Sequence, residues 1–84
     1  MLRITTIRTG EGLTIRLEGR LAGPWVDEFL RVLHECGKAT LTIDLSDTTF
    51  ADERGRQALA GARARGAHFK TAGPLMEALV EHGD

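Results

Sequence analysis

"IDLSDTTFADERG", residues 43–55, opens as a strand and closes as the entrance to a helix. Leu41, Ile43 and Leu45 alternate with Thr40, Thr42 and Asp44, the two-residue period of a half-buried strand. Beyond it, Asp52 is a good helix N-cap. Ala51, Gly55, Ala58, Leu59 and Ala62 then recur at helical spacing, Arg63 and Arg65 suit the negative end of the dipole, and Gly66 ends the run. A helix over residues 52–65 is therefore expected, with residues 46–54 as the loop that leads into it. The apolar stripe is made of small side chains, which implies close approach to the sheet beneath. Five charged side chains and three hydroxyls crowd these thirteen residues.

The same two periods extend outward. "LRITTIRT", residues 2–9, is rich in β-branched residues, and the glycines of "TGEG" permit a tight hairpin into "LTIRLEG", where Leu13, Ile15 and Leu17 share one face. "GPWVDEFLRVLHECG" switches to the helical period, with Pro24 at its first turn, Asp27 and Glu28 near its positive end and Gly37 as its stop. "AHFKTA" is a short last strand, and "GPLMEALVEHG" a closing helix that starts at Pro74 and buries Leu75, Met76, Leu79 and Val80. The order is β-β-α-β-α-β-α. Strand–helix–strand units make parallel, right-handed crossovers. Each strand offers one apolar face, whereas a sheet covered on both sides reads as continuous apolar runs. The expected architecture is a single α/β domain over residues 1–84. Its mixed four-stranded sheet has the order 1-2-3-4, with the first strand antiparallel and the helices mainly on one face. The other face carries Thr14, Arg16, Glu18, Thr40, Thr42, Asp44, His68 and Lys70.

Composition narrows the function. Eleven basic against twelve acidic residues leave a net charge of −1, no basis for gripping a phosphate backbone. No apolar run approaches eighteen residues and no charged-then-apolar leader opens the chain, so a soluble cytoplasmic protein is expected. A deep substrate cavity would remove much of so small a core, which points to a binding module rather than an enzyme. His34, His68 and His82 fall on three separate elements without metal-ligand spacing, and the arginines beside Asp44, Asp47, Asp52 and Glu53 compete with any cation there. No metal and no cofactor is expected. Cys36 lies on the apolar stripe of the first helix and reads as core; Trp25, at the head of that stripe and on the same rim as the Asp52 loop, reads first as core and, if exposed, as a binding anchor.

"LTIDLSDTTFADERGRQAL" resembles the signature segment of STAS domains, the family of bacterial anti-sigma factor antagonists. Its usual form is a hydrophobic strand, Asp-Leu-Ser, two or three residues, a Phe, a variable residue, then Asp-Ser-Ser-Gly. The hairpin, the helix after "LEGRLAGP" and the closing "GPL" helix agree with it, so the resemblance covers almost the whole chain. It implies a short β/α superhelix that binds proteins, often a kinase-like anti-sigma factor, under control of phosphorylation at the serine just before the glycine. Gly55 matches that glycine and Asp52 the aspartate, while Glu53 and Arg54 stand where the two serines would be. Arg54 fills the acceptor position and has no hydroxyl, so the switch is expected to be lost and the contact surface kept. That surface is expected to comprise Asp47, Thr48, Thr49, Asp52, Glu53, Arg54 and Arg56, together with the exposed face of the second helix. Some relatives instead serve on the ATPase of a membrane lipid transporter, which makes an accessory subunit of such a complex the alternative. Weak self-association, through the open sheet face or the edge of the first strand, is a further expectation.

Overall fold

The computed structural model describes residues 1–10, 12–37 and 40–70 of the 84. Strands β1 (Leu2–Thr9) and β2 (Gly12–Leu21) form an antiparallel hairpin paired in unbroken register from Leu2↔Gly19 to Thr9↔Gly12. Helix α1 (Pro24–Cys36) crosses to β3 (Leu41–Asp44), which lies parallel to β2 from Leu13↔Leu41 to Arg16↔Asp44. A short strand β4 (Thr48–Ala51) and helix α2 (Glu53–Ala64) lead to β5 (His68–Lys70), parallel to β3. The path β1-β2-β3-β5 is the order read from the sequence for its four strands. The closing helix expected from Pro74 onward lies outside the described residues.

β4 is the departure. Residues 46–54 were expected to be loop; instead Thr48, Phe50 and Ala51 pair in parallel with Gly19, Arg20 and Leu21, beyond the point where β3 leaves β2. β2 receives it by running on to Leu21, and the register shifts between Gly19 and Arg20, with Thr49 of β4 as the extra, unpaired residue. Gly19 has φ of 109°, and a Cβ there would stand 2.4 Å from the Met1 carbonyl oxygen, so the start of β1 can lie this close to β2 only because residue 19 has no side chain.

The inward-facing side chains of β2 (Ile15, Leu17, Leu21) and β3 (Leu41, Ile43), with Leu45 just beyond β3, meet Val26, Phe29 and Leu33 of α1 and Ala58, Leu59 and Ala62 of α2 in one buried cluster. Both helices thus cover the same face of the sheet. Arg65 ties the end of α2 to the end of α1 by donating from Nη2 to the Gly37 carbonyl at 2.8 Å. The opposite face carries Arg16, Glu18, Asp44, His68 and Lys70 and has no helix over it among the described residues.

Trp25 corrects the sequence reading. At about 100° per residue, positions 25, 32 and 36 fall on one flank of α1 and positions 27, 30 and 34 on the other. α2 packs beside the second flank, so Trp25 keeps only partial cover and is 36% exposed. Val32 and Cys36, on the same flank, are half-buried.

Candidate functional site

Where β2 and β4 end, both helices begin, and the residues from 47 to 56 form a rim around that junction. Asp52 organises it. Its Oδ1 accepts from the Gly55 backbone N–H at 2.7 Å, the cap of α2, and its Oδ2 accepts from the Gly23 N–H at 3.0 Å, at the cap position of α1. One carboxylate thereby satisfies a donor at each helix start. The Gly23 and Gly55 N–H groups hold its pKa below the usual carboxylate range.

Gly55 allows this convergence. A Cβ there would lie 2.4 Å from the Leu21 carbonyl oxygen, so α2 reaches the end of β2 only because residue 55 has no side chain. Arg54, on the exposed first turn, donates from Nη2 to Asp27 Oδ1 at 2.7 Å and links the first turns of the two helices. That pair raises the Arg54 pKa, chiefly through the hydrogen bond. On the sheet side, Arg16 donates to Asp47, and Asp44 Oδ1 accepts from the Ser46 N–H at 2.9 Å. The Ser46 hydroxyl and N–H together lower the Asp44 pKa.

Of the seven residues expected at the contact surface, Asp47, Thr49, Glu53, Arg54 and Arg56 are exposed and Asp52 is half-buried. Thr48 is not on the surface. It is 8% exposed and its hydroxyl donates to the Leu17 carbonyl at 2.8 Å, a bond that fastens β4 to β2. Thr49 donates to the Gly19 carbonyl at 3.1 Å while remaining exposed. Sequence reasoning missed Asp27 and Gly23, which reach the rim through contacts 27 and 29 residues long. It also missed Arg20 and Phe50, a stacked pair with the guanidinium carbon 4.6 Å from the ring centroid. The β-branched and aromatic run Thr48-Thr49-Phe50 was the available signal for them.

His34 and His68 stand exposed on separate elements, and among the described residues no three His, Cys, Asp or Glu side chains gather where they could hold a metal ion. Open depressions among the described residues lie away from the rim. One of about 570 Å³ sits at the starts of β3 and β5 beside Arg65 and His68, and one of about 250 Å³ lies between α1 and α2 beside Leu30 and Gly61. No described helix is long and apolar enough to cross a membrane.

No protein-family model matches the sequence, and no curated protein does either. Solved structures do. The anti-sigma factor antagonist SpoIIAA in its unphosphorylated form matches with a TM-score of 0.66 and 16% identity, over 96% of this chain and 82% of that one. An antisigma-factor antagonist STAS domain from Rhodobacter sphaeroides matches with a TM-score of 0.62 and 26% identity, over 87% of each chain. A structure of Mglu matches with a TM-score of 0.67 and 20% identity over 83% of this chain, which spans only 19% of that protein. The two antagonist structures match over most of this chain and of their own: the chain has the STAS-domain fold.

Proposed function

We propose that this chain is a non-enzymatic protein–protein interaction module of the anti-sigma factor antagonist type, working in the cytoplasm of a bacterial cell in transcription regulation without a serine switch. Its contact surface is the exposed rim, Asp47, Thr49, Asp52, Glu53, Arg54 and Arg56, continued along the outward face of α2. The observation that carries this reading is Arg54. It stands exposed on the first turn of α2 and is already paired with Asp27, and the resemblance of residues 41–59 to the family's signature segment puts it where the phosphoacceptor would be. A phosphate adds about −1.5 to −2 charge at a helix start. Here a fixed cation takes that place, and the nearest exposed hydroxyl, Thr49, lies before the helix on β4.

Incubation with ATP and a purified kinase-type anti-sigma factor is expected to leave Ser46, Thr48 and Thr49 unlabelled, read by intact-mass and peptide mass spectrometry, since residues 53–64 carry no hydroxyl. Stoichiometric phosphate on any of those three would overturn the loss of the switch. Joint reversal of Arg54→Glu and Arg56→Glu is expected to weaken capture about tenfold or more, because like charges would then face the partner's complementary surface. Calorimetry against a kinase-type anti-sigma factor and against a lipid-transporter ATPase reads both the effect and the partner. Unchanged affinity for whichever of them binds would move the interface elsewhere.

A further inference from the structure

Charge on the rim is unevenly committed. Asp47 holds Arg16, Asp27 holds Arg54, and both oxygens of Asp52 accept backbone N–H groups. Arg20 has no ion-pair partner among the described residues; its guanidinium lies over the ring of Phe50 instead. Phe50 in turn is 42% exposed, on a strand whose Thr48 and Ala51 are the buried residues. The pair sits where the open face of the sheet meets the rim, because β4 joins β2 at Arg20↔Phe50.

An exposed aromatic ring next to arginine is the composition of binding anchors, which favour Phe, Tyr, Trp and Arg over other side chains. Stacking holds both side chains in place before a partner arrives, so little ordering cost remains to be met on contact. A guanidinium lying over a ring still has N–H donors at its edge, arranged as the planar fork that matches a carboxylate. Glu53 and Arg56, the other rim charges without an ion pair among the described residues, offset one another, so the charge left open is the positive one of Arg20, beside the exposed ring of Phe50.

We infer that Arg20 and Phe50 are the anchor of the contact surface, and that the partner meets them with a carboxylate flanked by an apolar side chain. This rests on the rim being a protein-contact surface and adds the chemistry of what it takes.

Selection of random peptides displayed on phage against the immobilised full chain tests it without a known partner. Peptides with Asp or Glu adjacent to Leu, Ile, Met or Phe are expected to be enriched. Their synthetic forms should lose about 30-fold or more in affinity for Phe50→Ala and for Arg20→Glu. Both variants should melt within about 4 °C of the parent, since both side chains are largely outside the core. Phe50→Leu keeps the apolar bulk but not the aromatic face, and should show an intermediate loss. Peptides that respond to Arg54→Glu with Arg56→Glu but not to Phe50→Ala or Arg20→Glu would overturn the anchor and leave the rim standing. Enrichment of basic peptides would overturn the anchor's chemistry. Selected peptides indifferent to both sets of variants, or no selected peptide at all, would overturn the anchor and the rim together.

Discussion

Replacing Gly55 by alanine is expected to destabilise the chain by about 2–3 kcal/mol, whereas the same change at Gly61, six residues along the same helix, is expected to stabilise it. Helix propensity alone would favour alanine at both positions by about 1 kcal/mol. Surroundings decide the sign. At Gly61 nothing lies within 4 Å of the new Cβ, so the propensity gain is kept. At Gly55 the Cβ meets the Leu21 carbonyl oxygen at 2.4 Å and the Leu21 Cγ at 3.1 Å. The carbonyl cannot swing aside, because it accepts the Asp52 N–H at 3.1 Å and belongs to the β2–β4 pairing. α2 must therefore lift, and lifting it pulls Asp52 off the Gly23 N–H as well. For a domain of this size, each kcal/mol moves the melting midpoint by roughly 4–8 °C. Urea unfolding of the two variants checks the prediction; a shift of the same sign at both glycines would mean that α2 does not bear on the end of β2.

That contrast shows what a single sequence reveals and what it does not. The helices were legible because their signals are local. Pro24 and Gly37 bound α1, and Asp52 and Gly66 bound α2, each within one turn of the residues it governs. The strand order followed from crossover handedness, which needs only the order of elements. The small stripe of α2 correctly implied close packing, and Gly55 is its tightest point. β4 was not legible, since its burial runs in–out–out–in instead of alternating, and its inward Thr48 pairs a hydroxyl with a carbonyl where a strand pattern leads one to look for an aliphatic. Phe50 and Trp25, the side chains a hydropathy reading places inside, are turned toward solvent by an edge strand and by the far flank of α1. The rim's pairings are tertiary: Asp27 with Arg54, Gly23 with Asp52 and Arg20 with Phe50 are each separated by 27 to 30 residues. No periodicity carries such information.

Asp52→Ala is expected to lower the melting midpoint by roughly 5–10 °C at neutral pH, more than an ordinary cap removal, because two helix starts lose an acceptor at once. Asn at this position keeps the geometry of both acceptors in part, since its amide has one carbonyl oxygen, and should fall between the two. The effect has a pH signature. The Gly23 and Gly55 N–H groups favour the ionised carboxylate and depress its pKa in the folded chain. A depressed folded pKa adds stability above the unfolded value, near 3.9, and that stability is lost as pH falls through the folded value. The gap between parent and Asp52→Ala should therefore be full from about pH 5 upward and close progressively below about pH 4. Asp44 is depressed as well, through Ser46, and weakens the parent over a similar range. It is present in both proteins, so the difference between their melting curves isolates Asp52. A gap that stayed constant down to pH 2 would show that residue 52 acts through its shape alone, and the carboxylate would no longer be what holds the two helix starts, and with them Arg54, in the arrangement that makes the rim.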